Sequence, residues 1–355
     1  MVRGIHHITA LASDPQRNVD FYTGVLGLRL VKQTVNFDAP DVYHLYYGDE
    51  SGKPGTLLTF FPFPNAARGK RGTGEISAIG FDVPVQSLDF WIARLSRLDI
   101  RFDGPLSRFG ESTIAFQDPD GMLIELVFNP VLHSVHAWHG SPVPDEYATR
   151  KLHGVTFQLA ERVPTGTLLE NILGFQYEGQ DGNRHRYSIG NDLDGAILDI
   201  IVRPDMPRAR QSAGSIHHIA WRVPDASSQA EYRTRIIAAG LHATDALDRR
   251  YFQSVYFREP GGVLFELATD GPGFTVDEPL EELGSRLKLP PWLEPERQRI
   301  ERILPPLEPP VHSGRRSLAD GTTMVDEGNA PADKPGRHEK HRPEVGTNYG
   351  GNSVT

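Results

Sequence analysis

Cysteine is absent from all 355 residues. That excludes disulfides, thiolate metal sites and cysteine nucleophiles together, so any bound metal must take nitrogen and oxygen donors. Long apolar runs are missing as well: no stretch approaches the roughly 20 residues of a membrane-spanning helix. Basic excess is missing too, because 37 Lys and Arg face 46 Asp and Glu, a formal charge of −9. No basic stripe offers a nucleic-acid surface. The strand-like pattern is under way by Ile5, which leaves no room for a signal peptide, and cytoplasmic residence is expected. What is present is an ordinary globular composition, 38% hydrophobic and 23% charged, with 14 histidines.

One short pattern recurs. "GIHHITAL" from Gly4, "EISAIGFDV" from Glu75, "KLHGVTFQL" from Lys151 and "SIHHIAWRV" from Ser215 align as strand-like runs, each preceding a helix-like segment. Asp14 and Pro15 read as N-cap and N1 of the first helix, and Asp225 caps the fourth. Gly27, Gly174 and Gly240 suit helix stops, whereas the second helix reaches Asp99 where a glycine is expected. Short β-rich pieces follow, ending in "TLLTFF", "GMLIELVF", "AILDIIV" and "GVLFELAT"; the turns "DPDG" and "EPGG" precede two of them. The expected class is α+β, with four tandem βαβββ modules. Residues 1–140 would hold modules one and two. Residues 141–309 would hold modules three and four with a C-terminal helical extension, and 310–355, polar and aperiodic, would be a disordered tail.

Strand alternation sends every second residue to the opposite face. In module four His217, Ile219, Trp221 and Val223 then form the packed set, as do His153, Val155, Phe157 and Leu159 in module three. The positions facing the hollow of a curved sheet read His7, Ala78, Gly154 and His218, and the last strands contribute Thr59, Glu125, Asp199 and Glu266. Only the pairing of modules one and four unites two imidazoles and a carboxylate: His7, His218 and Glu266, with Thr59 in the fourth place. That donor set leaves coordination positions free and suits non-heme Fe(II), although zinc and manganese fit the same ligands. His6 and His217 would sit behind the ligands, either as core residues or as partners that orient them.

The runs "GIHHIT", "SIHHIAW" and "YFREPGGVLFELATDGPGF" resemble the vicinal oxygen chelate superfamily, which spans glyoxalases and extradiol dioxygenases. They look most like its ring-cleaving dioxygenases for hydroquinones, of the 2-methylhydroquinone and 2,6-dichlorohydroquinone type. The resemblance runs from residue 4 to about 307 and implies a vicinal oxygen chelate fold of two curved mixed sheets. Catechol extradiol enzymes of that superfamily take their first histidine from the third module, where this chain has Gly154. It implies Fe(II), with Mn(II) left open, on His7, His218 and Glu266, and cleavage of a small aromatic diol with O2. By the same match Tyr256 and Arg249 are catalytic, with Arg250 adjacent and not yet distinguished from Arg249. Roles beside the ligands fall on His6, Thr9 and His217. A 1,4-diol cannot chelate through both oxygens, so Arg249 or Tyr256 would meet the far hydroxyl, and His217 or Tyr256 would move the proton. The rival readings are a metal-dependent glyoxalase- or epimerase-type isomerase and a non-catalytic small-molecule-binding module. Neither nucleic acid nor membrane is an expected partner, and a homo-oligomer stays open. The segment "DGPGFTVDEPLEELG" is expected across the cavity mouth, with Phe274 either covering the site or serving loop packing alone.

Overall fold

Each module begins with a strand whose apolar face must be covered. Module one runs β1 (Ile5–Ala12), α1 (Pro15–Gly24), β2 (Arg29–Asn36), β3 (Ala39–Gly48) and β4 (Leu57–Pro62). Module two runs β5 (Glu75–Pro84), α2 (Leu88–Arg97), β6 (Phe102–Arg108), β7 (Glu111–Gln117) and β8 (Leu123–Asn129). Module three has β9 (Leu152–Leu159), α3 (Val163–Leu168), β10 (Gln176–Asp181), β11 (Arg184–Ile189) and β12 (Ala196–Val202). Module four has β13 (Ile216–Val223), α4 (Ala226–Ala238), β14 (Leu247–Asp248), β15 (Gln253–Arg258) and β16 (Leu264–Thr269), and α5 (Arg297–Ile303) follows. The computed structural model describes residues 1–130, 138–191, 195–308 and 310; the expected disordered tail, Pro310 apart, lies outside them. No described helix is long and apolar enough to cross a membrane.

Local signals set the helix ends. Asp14 accepts the Arg17 amide at 2.8 Å with Pro15 in the first turn, and Asp225 accepts the Ser228 amide at 2.8 Å. Gly174 and Gly240 take left-handed φ of 88° and 83°. Asp99 takes the same region at 54°, which a short polar side chain tolerates better than most.

Two eight-stranded mixed sheets result, and each draws on two modules. One has the order β14-β15-β16-β13-β1-β4-β3-β2 and joins modules one and four; the other, β10-β11-β12-β9-β5-β8-β7-β6, joins two and three. The first strands of the paired modules run antiparallel at each centre, β1 with β13 and β5 with β9, while β4 and β16 flank their partners in parallel. Met1–Gly314 form one unit, and the boundary expected near residue 140 falls between β8 and β9, which flank β5 in a single sheet. The packed faces meet through rings such as Phe157 and Phe265, 5.7 Å apart, and through fully buried Trp221 and Trp91. Burying each such ring contributes on the order of 2–3 kcal/mol. The opposite, concave faces carry polar side chains, joined in the first sheet by aromatic rings such as Phe61 and Phe252.

Candidate metal centre and cavity

The β1–β13 ladder carries the first sheet's chemistry. Its register pairs Ile5 with Trp221, His7 with Ala220, Thr9 with His218 and Ala10 with Ile216, so the ladder skips His6 and His217. Each skipped residue is the extra one of a β-bulge, which re-aims side chains and suspends strict alternation. Two consecutive histidines therefore lean to the same side: His6 Nδ1 lies 2.9 Å from His7 Nδ1, and His217 Nδ1 lies 2.7 Å from His218 Nδ1. Alternation put His217 in the packed set, behind the ligands; the bulge instead brings it onto the cavity wall. His6 stays buried, with its ring 4.9 Å from that of Phe252.

Beside β13 the parallel strand β16 sets Glu266 opposite Ala220. His7 Nε2 then lies 3.3 Å from His218 Nε2 and 3.3 Å from Glu266 Oε2, and His218 Nε2 lies 2.9 Å from the same oxygen. All three side chains are buried, and among the described residues this is the one group of three or more candidate donors close enough to share an ion.

A metal fits these residues. Glu266 is fully buried, and its Oε1 accepts from Ser254 Oγ at 2.5 Å. Oε2 has no hydrogen bond of acceptable geometry even though both imidazoles crowd it. Desolvation raises the affinity of that carboxyl for a proton, but the two histidines outweigh it and hold Glu266 well below the ordinary range. A buried carboxylate costs several kcal/mol, more than the roughly 1.5–3 kcal/mol of one charged hydrogen bond. A cation between the three donors removes that deficit, and the second nitrogen of each ligand histidine is already fixed by its neighbour.

The cluster opens on a cavity of about 530 Å³ walled by Phe61, Phe252, His44 and Tyr256, among others. Tyr256 pairs with Glu266 across β15–β16, and its ring centroid is 5.7 Å from that of His218. Burial, then the charge of Glu266, pushes its phenol above the ordinary range. Arg249 reaches this wall, with its guanidinium carbon 5.4 Å from the Tyr256 ring centroid. Arg250 takes a left-handed φ of 68° and turns to Asp277, with Nε 3.9 Å from that carboxylate. Burial and the adjacent His218 push His217 down to about 3, so its ring is neutral.

The fourth corner belongs to Thr59, whose Oγ1 bonds Thr9 Oγ1 at 2.8 Å and His44 Nε2 at 2.9 Å. His44 Nδ1 in turn meets the Tyr46 hydroxyl at 2.8 Å. These bonds engage the Thr59 hydroxyl, and among the described residues no fourth His, Asp or Glu joins the cluster. Burial, then His7 and His218, holds His44 well below its usual range. Sequence reasoning overlooked His44, Asp38, Phe252 and Ser254. Alternation carried the signal for His44, since Tyr43, Leu45 and Tyr47 are core while His44 faces the cavity. Phe274, expected over the mouth, is instead buried 5.1 Å from Tyr46 and 4.9 Å from Tyr251. Lys32 holds its segment there, bonding Phe274 O at 3.3 Å and Asp277 at 2.7 Å and pairing with Glu278.

The second sheet repeats the bulges, skipping Ser77 and His153, but fills its hollow with charge. Arg108 pairs with Glu125, and Arg186 grips Asp199 through Nε at 2.9 Å and Nη2 at 3.1 Å. His153, assigned by alternation to the packed set, turns in to meet Asp82 at 2.8 Å. A side chain at Gly154 would meet Ile197 O at 2.2 Å, so no ligand fits there without moving β12.

The family described as Glyoxalase/Bleomycin resistance protein/Dioxygenase superfamily matches residues 4–126 and 134–267. The chain is 43% identical to "Putative ring-cleaving dioxygenase MhqO" of Bacillus subtilis over 86% of its length and 96% of the relative's. It is 38% identical to the chlorohydroquinone/hydroquinone 1,2-dioxygenase of Sphingobium indicum, covering 85% of this chain and 96% of that one. Among solved structures, a crystal structure named "putative dioxygenase from Bacillus subtilis subsp. subtilis str. 168" superposes with a TM-score of 0.83 at 42% identity, covering 86% of this chain and 98% of that one.

Proposed function

The chain belongs to the glyoxalase/bleomycin resistance protein/dioxygenase superfamily, and from that premise we propose that it is an Fe(II)-dependent, extradiol-type ring-cleaving dioxygenase of hydroquinone-type aromatic diols. The observation that carries this reading is the open donor set, two imidazoles and one carboxylate, on the wall of an aromatic-lined cavity. The relatives named as hydroquinone and ring-cleaving dioxygenases support the substrate class and the use of O2. His7, His218 and Glu266 would hold Fe(II), with Mn(II) accepted by the same donors; the bound metal would supply open coordination positions and the redox chemistry that O2 requires.

The protein's part is to bind, orient and shield. If His7 and His218 ligate through Nε2, each must carry its proton on Nδ1. His218 Nδ1–H then donates to His217 Nδ1, which places the His217 proton on Nε2, available to a substrate oxygen. Tyr256 keeps its proton and offers a second O–H beside Glu266. Both groups stabilise an ionised diol oxygen near the ligands. The far hydroxyl of a 1,4-diol lies across the ring and falls to Arg249. Phe252 and Phe61 supply flat apolar walls that exclude water from the ring. Thr9 acts through Thr59 and His44, keeping the fourth corner free of a competing donor. His6 orients His7.

Oxygen uptake with Fe(II)-loaded protein and hydroquinone tests the reading. Stoichiometric uptake with a ring-opened product is expected. No uptake with hydroquinone or catechol would remove it in favour of an isomerase or a binding module.

A further inference from the structure

The first sheet is open-edged, with β14 and β2 as its outer strands. Asp38 sits in the turn between β2 and β3, and Arg249 directly follows β14. Asp38 Oδ2 lies 3.0 Å from Arg249 Nη2, so one ion pair links the turn after β2 to the segment after β14 at the cavity wall. Both residues line the cavity, and Arg249 is the one lysine or arginine on its wall among the described residues. The Arg249 side chain is 19% exposed and that of Asp38 73%, so the cation faces inward while its counterion faces solvent.

Resting on the dioxygenase reading above, we propose that Asp38 sets the charge selectivity of the cavity, admitting neutral dihydroxybenzenes and turning away rings that carry a carboxylate. Arg249 has five N–H donors, of which Asp38 meets those of Nη2, so a neutral hydroxyl can be met by the others without breaking the pair. A ring carboxylate at the remaining donors must share one guanidinium charge with Asp38 and lie beside a like charge, which offsets most of what it gains from Arg249. An exposed ion pair contributes little to stability. Its value here is as a repulsive element against the wrong ligand.

The test uses two ligands that occupy the cavity without turnover, 4-methylphenol and 4-hydroxyphenylacetate, titrated calorimetrically into anaerobic Fe(II)-loaded protein. Asp38→Asn keeps the turn's polar side chain and removes the charge. Glu231→Gln, on an exposed position of α4, controls for net charge. Asp38→Asn is expected to tighten the Kd of 4-hydroxyphenylacetate about tenfold, with a far smaller effect on 4-methylphenol and none for Glu231→Gln. The ratio of kcat/KM for 2,5-dihydroxyphenylacetate to that for hydroquinone should rise by a similar factor. Equal shifts for both ligands, no shift, or the same shift in Glu231→Gln would overturn the proposal. Absence of hydroquinone turnover in the unsubstituted protein would sink the dioxygenase reading alone, because the binding pair still judges Asp38.

Discussion

Ser254 Oγ stands 2.5 Å from Glu266 Oε1, while the other oxygen of that carboxylate faces His7 and His218. One hydroxyl on β15 thus decides which oxygen of the ligand is free. With an ion between the three donors, that hydroxyl would hold Oε1 and leave Oε2 as the oxygen offered to it. Ser254→Ala should weaken Fe(II) or Mn(II) affinity by roughly 10- to 100-fold, and Ser254→Thr, which keeps the hydroxyl, should restore most of it. Metal titration of the freshly stripped protein measures both. Undiminished affinity in Ser254→Ala would show that the hydroxyl is incidental.

The two sheets provide an internal control. His7→Ala, His218→Ala and Glu266→Ala each remove one of three converging donors and should abolish metal retention through dialysis. Glu125 occupies the corresponding last-strand position in the other sheet but is paired with Arg108 in a filled hollow. Glu125→Ala should lower stability by roughly 1–3 kcal/mol, through the stranded guanidinium, while the metal content of the purified protein stays at the unsubstituted level. Loss of metal in that variant would place the ion in the wrong sheet.

The meeting of modules one and four was legible because a repeated His-His strand at both ends of the chain has few other uses, and because parity left the remaining module pairs short of donors. The bulges were not legible. Alternation is the sole rule a strand pattern offers, and a one-residue insertion reverses it; the doubled histidine is the one local signal at His217, and His153, between Leu152 and Gly154, carries none. Phe274 was misplaced for a different reason. Its glycine- and proline-punctuated segment reads as a loop, and loops are expected over openings, but buried Lys32 on β2 draws it underneath the sheet's own rings. The contribution of Asp38 needed the folded geometry, since 211 residues separate it from Arg249 in the sequence.

Tyr256→Phe removes one hydroxyl from the wall and leaves the three donors untouched. Metal content should be unchanged and kcat for hydroquinone should fall by about 10- to 100-fold, the scale of a lost transition-state hydrogen bond. Since burial and Glu266 raise the phenol above its ordinary range, the tyrosine stays protonated throughout the assay range. The pH profile of the residual activity should therefore keep its alkaline limb. Disappearance of that limb in Tyr256→Phe would mean that the phenol loses its proton within the assay range, and that turnover needs its protonated form.

In the second sheet, His153 links stability to pH. Burial alone would lower the pKa of His153, but Asp82 and Glu111 outweigh it and raise the ring from 6.5 to about 10. A folded-state value above the unfolded one means that the native protein binds the extra proton. The resulting stabilisation is complete below 6.5 and is lost as pH climbs through about 10. His153→Gln keeps a donor for Asp82 but forgoes the positive charge. The difference in Tm between the metal-free parent and this variant should be largest, roughly 2–6 °C, near about pH 6, and should shrink steadily towards about pH 10. The neighbouring arginine–carboxylate pairs stay charged across this range in both proteins, so the difference between them isolates His153. A gap that widens with rising pH would mean that the ring is buried neutral, and that Asp82 is compensated by Lys151, whose Nζ lies 3.7 Å from it.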